Sequence, residues 1–181
     1  MLRNLVQFLS ITVLALVLAS CGNQGTTVIG PAGSGVFEAP TTTAMSYPAR
    51  VATADDGAVY VADAAADMVL GYNNGQRVVQ LTGLDRPLGL AVAGDVLYVG
   101  NDGRDNVEAY ELSTGKALFS LGSGVGEFLM PNAIAVADDG RIYVVDSGAK
   151  QLRIYNSDGS LDRVVGSEGT FGFPSAVAIA G

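Results

Sequence analysis

The chain has 181 residues, a formal net charge of −8, no histidine and a single cysteine. The acidic balance argues against nucleic acid as a partner, because binding to phosphates rests on basic side chains that displace counterions. One cysteine excludes disulfide bonds within the chain, and the absence of histidine removes the usual zinc ligand and the usual general base.

The first twenty residues have the features of an export signal. Arg3 precedes an apolar stretch, Leu5 to Leu18, that is too short to span a bilayer as a helix. Residues 18–21, Leu-Ala-Ser-Cys, resemble the lipobox of bacterial lipoproteins, which implies removal of residues 1–20 and acylation of Cys21, with palmitate among the attached chains. An ordinary secretory signal with an incidental cysteine is the alternative. The expected location is therefore the bacterial cell envelope, with lipid on Cys21 as the membrane anchor.

Residues 21–46 are expected to form a tether that follows the lipidated cysteine. Up to about Gly35 the segment consists largely of glycine, asparagine, glutamine, threonine, proline, alanine and serine. Such a composition offers too little apolar area to pack into a core. The tether would let a globular head stand away from a membrane surface.

A proline-led unit then recurs along the chain. Its prolines are Pro48, Pro87, Pro131 and Pro174, at intervals of about 40 residues, which is the length of a four-stranded propeller blade. Apolar residues alternate within each unit, and glycine-containing turns separate the runs, as in antiparallel strands. The pattern predicts an all-β chain with three complete blades and part of a fourth, at residues 47–86, 87–129, 130–172 and 173–181.

Four strands are expected in each unit. The first strands are rich in small residues, as close approach around a central axis requires. The second strands have tyrosine near their centre, which suits packing between blades. The expected first strands are residues 50–54, 89–93, 133–137 and 176–180; the second 58–62, 96–100 and 141–145; the third 68–72, 107–110 and 151–155; the fourth 77–81, 116–121 and 163–166.

Turn residues connect the first and second strands of each unit. They are Asp55-Asp56-Gly57, Gly94-Asp95 and Asp138-Asp139-Gly140. Glycine permits the positive φ of a tight hairpin, and aspartate caps the bend. Adjacent carboxylates could also act in catalysis, but their recurrence at the same hairpin favours the turn role.

The unit from Pro131 to Gly148, continued by residues 151–155, resembles the NHL repeat. The proline, the Asp-Gly turn and the Tyr-Val-x-Asp strand end occur in order, and a Gly-x-Gly-x-Phe linker runs from Gly124 to Phe128. The resemblance, over about residues 47–181, implies a β-propeller of most often six blades and no single activity. Family members include protein-interaction platforms, RNA binders, an amidating lyase and, more distantly, lactonases. The missing histidine argues against the lyase, and the acidic charge against RNA binding.

The number of units does not close a ring, because even the smallest propellers have four blades. Thr26 to Gly30, followed by Gly33, Gly35, Phe37 and Pro40, resembles the solitary outer strand and linker that close many propellers. The sequence therefore predicts a propeller truncated at its carboxyl end. The alternative is a half ring that associates with itself through open apolar blade faces.

Asp63, Asn101 and Asp146 occupy the same place in successive blades, at the loops between second and third strands where propellers usually meet their ligands. They are weak candidate ligands for a hard cation such as Ca²⁺. The favoured alternative is that each side chain accepts hydrogen bonds from its own loop backbone. No residue is predicted to be catalytic or to bind a cofactor.

The resulting functional hypothesis is a tethered NHL-like scaffold that binds a protein, peptide or glycan. Two other hypotheses remain open. One is a metal-dependent hydrolase or lactonase with a cation on the axial carboxylates, which predicts calcium-dependent thermal stabilisation that Asp63→Ala and Asp146→Ala abolish. The other is a non-functional fragment of a larger propeller.

Overall fold

The computed structural model describes residues 44–122, 127–166 and 169–180. The chain divides into two units, Met1–Ala39 and Pro40–Gly181. The expected signal peptide, Cys21, the tether up to residue 43, the expected strand from Thr26 to Gly30 and the first three residues of the Gly124–Phe128 linker lie outside the described residues. Within the described part of the chain, no helix has both the length and the apolarity that a membrane span requires.

The described residues form three sheets of four antiparallel strands, each in sequential order. Blade 1 contains β1 (Pro48–Thr53), β2 (Val59–Asp63), β3 (Met68–Asn73) and β4 (Gln76–Leu81); blade 2 contains β5 (Pro87–Ala93), β6 (Val96–Asn101), β7 (Asn106–Glu111) and β8 (Ala117–Leu121); blade 3 contains β9 (Pro131–Val136), β10 (Ile142–Asp146), β11 (Gln151–Tyr155) and β12 (Leu161–Val165). A short 3-10 turn, Asp102–Arg104, follows β6. The all-β prediction with four-stranded blades is confirmed.

One strand prediction was wrong. Residues 176–180, expected to form the first strand of a fourth blade, have no regular secondary structure. In each complete blade the first strand is held by a hydrogen-bonded ladder to the second strand. No described segment forms such a ladder with residues 176–180, so the apolar alternation of this segment alone does not make it a strand.

The apolar core lies between the blades. Successive residues of a strand point to opposite faces of the sheet, so a sheet between two neighbours buries both faces. The layer between blades 1 and 2 includes Tyr60, Ala62, Val69, Leu84, Leu90, Leu97, Val99 and Tyr110. The layer between blades 2 and 3 includes Tyr98, Val107, Ala109, Leu121, Phe128, Ile134, Ile142, Val144 and Tyr155.

The tyrosine at the centre of a second strand is buried where a following blade packs against it. Tyr60 is 5% exposed and Tyr98 is 8% exposed, and each packs into the layer shared with the following blade. These two packing predictions are confirmed. Tyr143 has the same place in blade 3 but remains partly exposed, because the described residues include no fourth sheet to cover it.

An aromatic linker residue fills the seam between blades 2 and 3. Phe128 is fully buried, and its ring centroid lies 6.1 Å from that of Tyr155. Gly122 has a φ of +79°, and a Cβ there would lie 2.7 Å from Phe128 Cδ2. Gly166 and Phe171 repeat the arrangement after blade 3, again with a hypothetical Cβ 2.7 Å from the ring. The glycine therefore gives the aromatic ring room to lie against the backbone.

Candidate functional site

The residues considered as metal ligands end the second strands of their blades. Asp63 is 1% exposed, and Asn101 and Asp146 are fully buried. A buried carboxylate is costly unless hydrogen bonds or opposite charges compensate it. The partners of these three side chains therefore indicate what they do.

Asp63 and Asp146 hold two backbone segments together in the same way. Asp63 accepts hydrogen bonds from the backbone N–H groups of Ser46 (2.6 Å), Tyr47 (2.9 Å) and Ala66 (3.2 Å). Asp146 accepts equivalent bonds from three groups, at 2.9 to 3.0 Å, on Leu129, Met130 and Ala149. Each carboxylate thus joins the segment that enters its blade to the loop after its second strand.

Asn101 takes part in a different network in blade 2. Its Oδ1 accepts a bond from Asp85 N at 3.4 Å, and its Nδ2 donates to Glu108 Oε2 at 2.7 Å. The Tyr110 hydroxyl donates to the same carboxylate oxygen at 2.6 Å. Burial, together with this bond and the charge of Glu108, raises the pKa of Tyr110, so the phenol stays a donor at neutral pH.

The contacts of Asp63 and Asp146 agree with the hydrogen-bonding alternative and extend it. The alternative was wrong for Asn101, which accepts its bond from Asp85 N before the blade and caps no N–H group of the turn that follows it. Asp63 and Asp146 each bond to their own loop, as expected, and also to the segment entering the blade, which the sequence did not reveal. Among the described residues, no three histidine, cysteine, aspartate or glutamate side chains are grouped so that they could hold a metal ion. Calcium-dependent stabilisation stays a prediction.

We call the hydrogen bonds that Asp63 accepts from the segment entering blade 1 and from its own loop the Asp63 clamp. This clamp is expected to make the free energy of unfolding depend on pH. Burial alone would raise the pKa of Asp63, but the backbone N–H donors outweigh it and lower the pKa below its usual value. A carboxyl with a lowered pKa in the folded state stabilises the fold above its unfolded-state pKa, and this contribution is lost as the pH falls through the folded-state value. Urea unfolding should therefore show that the free energy of unfolding of wild type exceeds that of Asp63→Asn at about pH 6, and that this difference shrinks as the pH falls to about 3. A constant difference across that range would contradict the clamp.

A charged side chain that sequence reasoning missed crosses the centre of the three blades. Arg50 in β1 donates from Nη2 to the carbonyl oxygen of Asn132 (2.5 Å) and from Nε to that of Leu88 (3.4 Å). It thereby links the first strands of all three blades. The available signal was its position, because Arg50 is the one charged residue among the expected first strands.

Two depressions open at the opposite end of the blades from Asp63 and Asp146. We call this end the hairpin face, because the turns β1–β2, β5–β6 and β9–β10 form it. The axial depression has a volume of about 430 Å³ and is lined by residues of all three blades, including Asp55, Tyr98 and Asp138. The lateral depression, also about 430 Å³, lies between blades 1 and 2 and is lined by Asp55, Asp56, Asp95, Tyr60, Val78, Val79 and Leu112, with Ala54, Gly94 and Ser113. Among the described residues, no lysine or arginine lines either depression.

The Asp-Asp pairs of the hairpins divide into two roles. Asp56 Oδ1 accepts a bond from Ala58 N at 2.9 Å, and Asp139 Oδ1 accepts one from Arg141 N at 3.1 Å, so the second aspartate of each pair caps its turn as predicted. Within the described ranges, the side chains of Asp55 and Asp138 have no hydrogen bond or ion pair. These first aspartates line the depressions instead.

Blade 3 carries the sequence features of a known repeat. Residues 128–155, from the buried linker phenylalanine to the end of β11, match the model of the NHL repeat. Blade 3 contains an NHL repeat. A comparison with curated proteins finds no match.

Solved β-propeller structures resemble the chain in fold. They include hydrazine synthase of Kuenenia stuttgartiensis, with a TM-score of 0.63 and 16% identity over 79% of this chain and 42% of that one. A streptogramin B lyase has a TM-score of 0.64 and 13% identity, over 76% of this chain and 46% of the lyase. A third structure is a catalytically inactive histidine-to-alanine variant of virginiamycin B lyase from Staphylococcus aureus, with quinupristin. Its TM-score is 0.63 and its identity 13%, over 74% of this chain and 45% of the lyase. The chain thus spans less than half the length of these structures, and the likeness concerns the fold.

Proposed function

We propose that the chain is an exported, lipid-anchored NHL-repeat protein whose blades bind a protein, peptide or glycan without chemistry of their own. The observation that carries this proposal is the use of the buried carboxylates. Asp63 and Asp146 are engaged with backbone N–H groups, whereas carboxylates without such partners line open depressions on the hairpin face. These two buried carboxylates therefore support the fold, and the carboxylates of the hairpin face that lack such partners are available to a ligand.

Comparison with the lyases also favours binding over catalysis. In the virginiamycin B lyase variant, replacement of a histidine goes with catalytic inactivity. The present sequence contains no histidine. A reaction that depends on such a histidine has no counterpart for it among these 181 residues.

Lipid anchoring gives the first prediction of this proposal. In cells expressing the full chain with an alkyne-tagged palmitate, wild type should incorporate the label and float with membranes, and Cys21→Ser should do neither, because it removes the only thiol. Ser20→Ala is a matched control, since it keeps the small residue before the cysteine. Unchanged labelling of Cys21→Ser would contradict acylation at this position.

Binding without turnover is tested with the full, metal-free chain in a non-ionic detergent on peptide and glycan arrays. We expect saturable binding to a restricted set of ligands, each recovered unchanged by mass spectrometry. The thermally unfolded chain is the control for adhesion through exposed apolar residues. Conversion of a bound ligand by metal-free protein, or arrays that show no saturable ligand, would refute the proposal.

A further inference from the structure

We propose that the lateral depression on the hairpin face binds a basic peptide side chain, lysine or arginine, through Asp55, Asp95 and the Tyr60 hydroxyl. This inference rests on the proposed binding function and names its ligand class. The site lies at the seam between blades 1 and 2, where both blades contribute residues.

Two of the three carboxylates that line the depression make no bond to any described residue of the fold. Asp56 is engaged with Ala58 N and with Asn73 Nδ2. In the described part of the chain, Asp55 and Asp95 have no side-chain hydrogen bond or ion pair. With no basic residue in the lining, the site has negative charge that only a ligand or counterions compensate.

Tyr60 supplies an independent indication of a ligand. The residue is 5% exposed, and its hydroxyl has no hydrogen-bond partner among the described residues. Burial raises the pKa of Tyr60, and the charges of Asp56 and Asp95, which line the same depression, raise it further. The hydroxyl oxygen keeps contact with solvent although most of the side chain is buried, so a cationic N–H donor in the depression can reach it and bond to it.

The size and the walls of the depression favour an organic cation over a metal ion. Its volume of about 430 Å³ is within the range of small-ligand sites. Val78, Val79 and Leu112 form apolar walls against which the methylene stem of lysine or arginine can pack. Calcium instead prefers six to eight oxygen ligands, and within the described residues no group of three acidic side chains could hold a metal.

The test is an NMR titration of the ¹⁵N-labelled full chain in non-ionic detergent with three capped tripeptides, Ala-Lys-Ala, Ala-Arg-Ala and the neutral Ala-Gln-Ala. We expect the two basic peptides to shift the amide signals of Gly94, Asp95 and Leu112 saturably, and the neutral peptide to leave them unchanged. Raising NaCl from about 50 mM to about 500 mM should weaken binding, because surface charges are screened.

Three variants separate the proposed contacts from structural effects. Asp55→Asn combined with Asp95→Asn should raise the Kd roughly tenfold, since charge-assisted hydrogen bonds are lost. Tyr60→Phe should raise it about threefold without lowering Tm, because the ring and its packing remain. Asp162→Asn, which removes an exposed carboxylate on β12, should leave the Kd unchanged.

Several outcomes would overturn the inference. They are equal shifts with the neutral peptide, an unchanged Kd in the double variant or in Tyr60→Phe, and calcium chloride alone displacing the peptide. If no basic peptide binds but the arrays reveal another ligand, this inference fails and the binding function stands. If the arrays are also blank, both fail.

Discussion

Asp146→Ala is expected to reduce the free energy of unfolding by about 3–5 kcal/mol. The substitution leaves three backbone N–H groups, those of Leu129, Met130 and Ala149, without their acceptor. It also removes the carboxylate 3.9 Å from Arg153 Nε, a guanidinium that lies 5.1 Å above the Phe128 ring. Both the entry into blade 3 and the seam beside it should therefore loosen. Urea denaturation monitored by circular dichroism measures the change.

Asp162→Ala is the matched control for this prediction. Asp162 is exposed on β12 and pairs with its neighbour Arg163, and a surface substitution of this kind should change stability by no more than about 0.5 kcal/mol. If Asp146→Ala costs no more than Asp162→Ala, the buried carboxylate does not hold the loop and the clamp interpretation is wrong.

Gly100→Ala is expected to disrupt the contact between blades 2 and 3, at a cost of several kcal/mol. A Cβ at Gly100 would lie 2.1 Å from the carbonyl oxygen of Pro131 and 3.2 Å from Gly89 Cα. These are backbone atoms at the innermost strands, so no side-chain rotation relieves the clash. The blades must move apart, which exposes the apolar layer that contains Tyr98 and Ile134.

Gly172→Ala provides the comparison. A Cβ at Gly172 would meet no atom within 4 Å, and its φ lies outside the left-handed region. Its melting temperature should stay close to that of wild type, whereas that of Gly100→Ala should fall by many degrees, or the variant should fail to fold. Equal melting temperatures for the two variants would show that the inner strands are not as close as the structure places them.

The sequence predicted the blades because local signals agree there. Alternation of apolar residues, glycine at the hairpins and tyrosine in the second strands point to the same four-stranded unit. The strand predicted at residues 176–180 was wrong because a local signal was present there without a pairing partner. That segment has the alternation of a first strand but no neighbouring second strand among the described residues, and strand formation depends on a partner that a local pattern does not contain.

The site was predicted in part. The repeated position of Asp63, Asn101 and Asp146 was visible in the sequence, but their partners were not. The donors to Asp63 on Ser46 and Tyr47 lie 17 and 16 residues earlier in the chain, so only the folded backbone brings them together. Likewise, the sequence identified the aspartates of the hairpins as turn residues without separating Asp55 from Asp56. Which of two adjacent carboxylates reaches an N–H group is decided by the backbone geometry of the turn.

The bond from Arg50 to the carbonyl oxygen of Asn132 joins residues that are 82 positions apart. Strand pairing within a blade needs only local chain closure, whereas this bond needs blade 3 to have been synthesised and docked. Individual hairpins can therefore form early, and the guanidinium closes the assembly late. Such long-range closure slows folding and couples the blades into one cooperative unit, in contrast to a linear repeat array, in which each repeat contacts only its neighbours.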